Sequence, residues 1–310
     1  MFEPAYLRSL KDGSLATKAE QAREKLIECG ICPRDCQVNR LEGEIGFCGI
    51  GEAAQVASAN PHHGEESPLV GISGSGTIFF TSCNLKCVFC QNFEISHLME
   101  GRDTDSPNLA KVMLELQHIG CHNINFVTPS HVVPQILEAL YLAAQNGLSV
   151  PLVYNTGGYD LVDTLRLLDG VVDIYMPDLK FMDSEICELL MDAPDYPEVV
   201  MAAIREMHRQ VGDLHIDERG IATRGLLIRH LVMPNDLAGT KEAMRFLAKE
   251  ISTNTYVNIM NQYRPCGRSN RFERINRSLT REEYAKALET AQEEGITKLD
   301  KRTGLRLRFF

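Results

Sequence analysis

Six short runs of β-branched and aromatic residues, each followed by a helical pattern, constrain this chain more than any other feature. The runs are 77–80 (TIFF), 123–127 (NINFV), 150–154 (VPLVY), 171–176 (VVDIYM), 226–232 (LLIRHLV) and 256–260 (YVNIM). They are too short for helices and rich in Val, Ile, Phe and Tyr. Between them the apolar spacing becomes helical. Ser106-Pro107 opens one helix with a cap and an N1 proline; Leu109, Val112, Met113 and Leu116 form its stripe, and Gly120 ends it. Ile136, Leu137 and Leu140 mark the next, closed near Gly147. Asp160 is placed to cap a third, with Leu161, Leu165 and Leu168 on one face. Helices are also predicted over 183–191, 197–210 and 240–251. A last one starts at Thr280, where Glu283 completes a capping box. Six such βα units predict an α/β fold with a parallel sheet. Right-handed crossovers curl it into an open, partial (β/α)6 barrel, short of the eight units that close a barrel. The domain expectation is therefore a barrel over residues 76–310. Before it, residues 1–75 read as a small Cys-rich N-terminal extension with a helix near 15–27.

The chain carries ten cysteines, and their meaning depends on the compartment. No run of 18 apolar residues lacks a charge, so no membrane span is expected. The opening MFEPAYLRSLKDGS has no basic region followed by an apolar run, so no secretory signal is expected either. A cytoplasmic location is the expectation, and there clustered thiols point to metal or redox chemistry rather than disulfides. Lys+Arg 32 against Asp+Glu 42 gives a net charge of −10, which disfavours non-specific nucleic-acid or anionic-membrane partners.

Cys83-Asn-Leu-Lys-Cys87-Val-Phe-Cys90 sets three thiols at C-x3-C-x2-C spacing just after the first β run. Three thiolates on one short loop can hold three corners of a [4Fe–4S] cluster, which ordinarily takes four Cys ligands. With no fourth Cys nearby, one iron keeps an open position. S-adenosylmethionine (SAM) can fill it with its amino and carboxylate groups, and one electron into its sulfonium then breaks a C–S bond to release a 5′-deoxyadenosyl radical. The competing reading is a zinc site of these thiolates with His97.

SCNLKCVFCQN resembles the cluster loop of the radical SAM superfamily, in particular of the pyruvate formate-lyase activating enzyme group. The likeness extends over roughly residues 70–300, and the branch it resembles carries an N-terminal four-cysteine segment. It implies a radical SAM partial barrel and a SAM-cleaving enzyme with a one-electron donor such as flavodoxin or ferredoxin. Its substrate is then either a backbone glycine in a large glycyl-radical partner, as for an activase, or a small metabolite or peptide. A wide, flat barrel mouth favours the first, and a closed pocket with charged anchors the second. A non-catalytic zinc or Fe–S interaction module is the third reading. The resemblance also implies that Phe89 packs by the adenine of SAM. Asn155 and Gly157, in NTGG, are implied near its ribose and methionine. Asp178 and Lys180, in PDLK, are implied at its amino-acid end, and Arg229 near its carboxylate. The glycine-rich GGE segment of that family is absent; VTPSH stands in its place, leaving Thr128 and Ser130 as candidates for the amino group.

The residues support the same region independently. In parallel α/β folds, sites form at the C-terminal ends of strands, and polar residues gather there in run after run. Arg229 lies inside an apolar run, where an unpaired charge is costly, so a carboxylate ligand in the barrel mouth is expected to satisfy it. Cys29, Cys32, Cys36 and Cys48 form a second soft-ligand group that fits either a structural Zn²⁺ or an auxiliary Fe–S cluster. Pro61-His62-His63-Gly64-Glu65-Glu66 reads as a solvated turn, with metal binding or a place at the substrate mouth as the alternatives. Cys121 and Cys187 are expected buried, and Cys266 buried or facing substrate.

Overall fold

The computed structural model describes residues 2–300. All six apolar runs are strands: β2 (Ser75–Phe80), β4 (Ile124–Val127), β5 (Leu152–Thr156), β6 (Ile174–Pro177), β8 (Ala222–Leu231) and β9 (Tyr256–Met260). They are parallel and adjacent in that order. Three antiparallel strands extend the sheet: β1 (Ala54–His62) on β2, β3 (Arg102–Thr104) on β1, and β7 (His215–Ile216) on the start of β8. The result is a mixed, partly open nine-stranded sheet, the partial barrel expected with three further strands.

The helices are α1 (Ala5–Lys11), α2 (Ser14–Glu24), α3 (Ser67–Val70), α4 (Phe93–Ser96), α5 (Ser106–Ile119), α6 (Val133–Gln145), α7 (Val162–Leu167), α8 (Ser184–Met191), α9 (Tyr196–Val211), α10 (Thr240–Phe246) and α11 (Arg281–Glu293). Two start signals differ from expectation. Asp105, not Ser106, caps α5, accepting the Asn108 N–H at 2.9 Å, because its extended backbone lets the carboxylate fold over the first turn. Asp160 caps nothing; it is buried and accepts from Tyr154 and Thr156 hydroxyls at 2.8 and 2.6 Å. The Thr280–Glu283 capping box is present as read.

Apolar side chains collect in two places. A large core fills the space between the sheet and its helices, with Leu137 and Leu140 of α6 fully buried in it. Each such side chain contributes ~1.5–3 kcal/mol. A smaller cluster joins Val153, Ile174, Met176 and Leu227 to Leu69 of α3. Because β1 runs antiparallel to β2 and pairs His62 with Ser75, the segment after β1 lies at the N-terminal ends of the parallel strands. There α3 closes the lumen, held by Asn123 Nδ2, which donates to Leu69 O at 2.9 Å.

Residues 1–75 contribute β1 to the sheet and α2 to the packing against α6, and Leu15, Leu26 and Ile31 belong to the main core. Among the described residues, no helix is long and apolar enough to cross a membrane.

Candidate functional site

The strand ends of the open barrel surround a cavity of about 440 Å³. Its wall begins at the loop after β2. Val88 and Lys86 N–H groups donate to Leu190 O (2.9 Å) and Met191 O (3.3 Å), so the last carbonyls of α8 pin that loop. Cys83, Cys87 and Cys90 all face the cavity from it. Burial pushes the Cys83 thiol up to about 11. Burial pushes Cys87 higher still, against the pull of the Lys180 ammonium. Two donors already serve these sulfurs: the Leu85 N–H reaches Cys83 Sγ at 3.3 Å and the Ser96 hydroxyl reaches Cys90 Sγ at 3.1 Å. His97 Nδ1 sits 2.8 Å from the same hydroxyl, and its ring stacks on Phe93 at 4.3 Å between centroids. His97 is not among the residues lining the cavity that the three thiols face, so the structure does not bring it to them as a fourth ligand. Among the described residues, no three His, Cys, Asp or Glu side chains are gathered closely enough to enclose one metal ion. A cube that takes each thiolate on a different iron needs no such gathering.

On the same cavity, three strand ends build one charged network. Asp178, just after β6, pairs with Lys180 Nζ at 2.5 Å and with Arg229 Nε of β8 at 2.6 Å; Arg229 Nη2 donates to Asn155 Oδ1 of β5 at 2.6 Å. Arg229 is not left unpaired without a ligand: the parallel register sets Asp178 beside it, and that carboxylate pairs with it. Burial alone raises the Asp178 carboxyl, but Arg229 and Lys180 outweigh it and hold it below the usual range. Tyr196 of α9 ties the two loops together. Its Oη lies 2.9 Å from Gly157 O and 2.8 Å from Asp178 O, and it accepts the Lys180 N–H at 3.1 Å.

Thr128 and Gly157 also line the cavity, Thr128 with a left-handed φ of 61°. Ser130 stands behind it, fully engaged with Thr156 Oγ1 at 2.9 Å. Phe89 is buried edge-on against Phe181 and Tyr263 rather than on the cavity wall. Gly158 must be glycine: its φ is +81°, and a Cβ there would stand 2.5 Å from Asp178 O. Asp160 and Tyr196 were missed as supports of these loops, since an Asp before an apolar run reads as a cap and a helix Tyr as core.

The solvated-turn reading of residues 61–66 holds at His63 and Gly64, which are exposed, and is corrected at the residues on either side, Pro61 and His62 belonging to β1. Glu65 and Glu66 are 8% and 4% exposed and line the cavity with His62, because α3 draws them under the lumen. Cys121 and Cys187 are buried as expected, and Cys266 is half-buried.

The four-cysteine segment packs directly on the three-cysteine loop. The Ser82 hydroxyl donates to Cys48 O, and Arg34 Nε donates to Asn84 O at 2.8 Å. Cys29, Cys32 and Cys48 are buried, Cys36 half-buried, and burial pushes the Cys32 thiol up to about 12.

The sequence model of the Radical SAM superfamily matches residues 77–217. An uncharacterized protein of Methanocaldococcus jannaschii, MJ0674, is 36% identical over 297 residues, covering 94% of this chain and 82% of that protein. The chain belongs to the radical SAM superfamily. Among solved structures, HydG, described as a maturase of the [FeFe]-hydrogenase, aligns at a TM-score of 0.49 and 12% identity. That alignment covers 72% of this chain and half the length of HydG. Membership in the superfamily implies a [4Fe–4S] cluster, SAM, and a reductant that delivers electrons.

Proposed function

We propose that Cys83, Cys87 and Cys90 hold the cluster, and that the enzyme uses SAM to abstract a hydrogen atom from a substrate seated in the barrel cavity. When bound, the cluster supplies one electron to the SAM sulfonium, which splits into methionine and a 5′-deoxyadenosyl radical. The observation that carries this reading is one shared cavity. The three thiols face it from the loop after β2, Asn155 and Arg229 from β5 and β8, and Asp178 and Lys180 from the segment after β6. The donor set suits the cluster: sulfurs accepting N–H and O–H bonds are the surroundings that stabilise cluster thiolates. Asp178 and Arg229 offer opposite charges to the ammonium and carboxylate of the SAM amino acid, with Lys180 beside them. Gly157 and Thr128 line the approach for the rest of the cosubstrate. Phe89 and Ser130 support the wall from behind.

For the substrate, the charged anchors at both ends of the cavity favour a small metabolite or peptide over the backbone glycine of a large activase partner. The electron donor is then a small carrier such as flavodoxin or ferredoxin. The free cysteines suit the reducing cytosol. In this reading Cys29, Cys32, Cys36 and Cys48 hold a second cluster, or a zinc ion once the four sulfurs draw closer together than they stand here.

The test is anaerobic reconstitution with iron and sulfide, quantification of iron and zinc, and assay of 5′-deoxyadenosine after reduction. The wild-type protein is expected to cleave SAM and Cys87→Ala to lose that activity. A Cys87→Ala variant that still cleaves SAM, or zinc without iron at this loop, overturns the assignment.

A further inference from the structure

Glu66 is the anomaly of the cavity. It is 4% exposed and lines the lumen at the end closed by α3. Its Oε1 accepts from Asn258 Nδ2 of β9 at 2.9 Å, which ties the first and last parts of the open sheet together. Among the described residues, no other residue donates a hydrogen bond to its buried Oε2. An unsatisfied buried carboxylate oxygen is costly, and native proteins rarely keep one without use. The cation nearest by charge, Arg229, is committed through Nε to Asp178 and through Nη2 to Asn155. The neighbouring Glu65 adds a second carboxyl, engaged with His62 Nδ1 at 2.9 Å.

With Glu65, Glu66 and Asp178 ionised against Arg229 and Lys180, one carboxylate facing the cavity has no cation of its own. Burial, and the neighbouring Glu65, push the Glu66 carboxyl up against the pull of Arg229, so an added positive charge would be welcome there. The position matters as much as the charge. Glu66 follows β1 at the N-terminal ends of the parallel strands, whereas the thiols follow the C-terminal end of β2. A group held by Glu66 thus belongs to a molecule reaching down the lumen, away from the cluster loop.

We infer that Glu66, backed by Glu65 and Asn258, is the subsite for a protonated primary amine carried by the substrate. This deepens the function proposed above and rests on it for the word substrate. The amine donates to Oε2, its charge offsets the paired carboxyls, and the rest of the molecule extends toward the mouth.

The experiment uses the full-length, reconstituted holoenzyme with SAM present, so that the cosubstrate's own subsites are filled. The probes are n-butylammonium and its neutral isostere n-butanol, titrated by ligand-observed NMR. Wild type is expected to bind the ammonium at least ten-fold tighter than the alcohol. Glu66→Gln, which retains an acceptor for Asn258, is expected to reduce that preference to less than two-fold. Equal binding of the two probes to wild type overturns the inference, and so does a preference that survives Glu66→Gln. The wild-type comparison decides alone should the variant not fold. A holoenzyme that prefers the amine but never yields 5′-deoxyadenosine refutes the proposed function and leaves the subsite standing. SAM cleavage without amine preference refutes only the subsite.

Discussion

Replacing Asp178 by Asn exposes the energetics of the strand-end network. The wild-type carboxylate sits between two cations, Lys180 Nζ at 2.5 Å and Arg229 Nε at 2.6 Å, and the three side chains are only 15–19% exposed. Removing its charge leaves two like charges side by side in a largely desolvated place. Breaking a buried pair costs about 3–5 kcal/mol, and the residual exposure argues for the lower end, about 3 kcal/mol. Because Asp178 is held below its usual range, its contribution is fully present above the unfolded carboxylate value. It is lost only as pH falls through the lower folded value. The destabilisation should thus be constant from about pH 5 to pH 9. Urea unfolding of the reduced, metal-free protein measures it. The sharper readout is a double-mutant cycle with Arg229→Met. In the Asp178→Asn background that second change removes an unneeded cation, so the two effects should fall short of additivity by about 1.5 kcal/mol or more. Additivity within about 0.5 kcal/mol would show that the pair does not hold these strand ends together, and would remove the reason for treating them as one site.

Three further perturbations test the supporting structure. His131 is buried and held down to about 3 by burial first and by Arg40 second, while its Nε2 lies 2.9 Å from Thr81 O. Its stability contribution is complete above the ordinary histidine value and is lost as pH falls toward 3, up to about 4–5 kcal/mol. His131→Gln should flatten urea-midpoint profiles across that window, and an unchanged slope would reject this cause. Gly158→Ala forces a Cβ toward Asp178 O at a positive φ. It should cost about 2–4 kcal/mol by thermal unfolding and weaken SAM binding; a neutral effect would contradict the geometry. Ser96→Ala removes the donor to Cys90 Sγ. Losing a bond of ~1 kcal/mol that favours the more negative, reduced cluster should lower its potential by on the order of 40 mV in a redox titration, and no shift would detach Ser96 from the cluster.

The parallel strands were legible because strands buried on both faces must be written in apolar residues, and each of the six runs overlaps its strand. β1 was not. Its central residues are exposed, its last two, Pro61 and His62, open the stretch that reads as a turn, and its place is set by pairing with β2 rather than by its own pattern. The chemistry divides the same way. Cys83, Cys87 and Cys90 are close in sequence, so their spacing already described a loop. Asp178 and Arg229 are 51 residues apart, and their pairing depends on strand register. Glu66 meets Asn258 across 192 residues, so neither position signals a site by itself. Asp160 shows the converse error: a strong local signal for a cap was overridden by hydroxyls that the β5 turn brings closer.

The four-cysteine segment can be judged by a cation that local sequence leaves unexplained. Arg40 is 1% exposed, donates to Gly51 O and His131 O at 2.9 Å each, and brings Nη1 to 3.9 Å from Cys29 Sγ; its Nη2 has no partner among the described residues. A buried guanidinium facing neutral thiols is a net cost, and an apolar replacement of similar volume would be neutral or stabilising. The same guanidinium facing a metal held by four thiolates balances an anionic centre, and its loss would cost several kcal/mol. Arg40→Met therefore separates the two states by sign. In protein whose metal content has been measured, it should lower the unfolding midpoint of the loaded form and leave the chelator-treated form unchanged or raised. A variant that destabilises both forms equally would mean that Arg40 serves only the backbone carbonyls it bridges. The four thiols would then have no electrostatic claim on a metal.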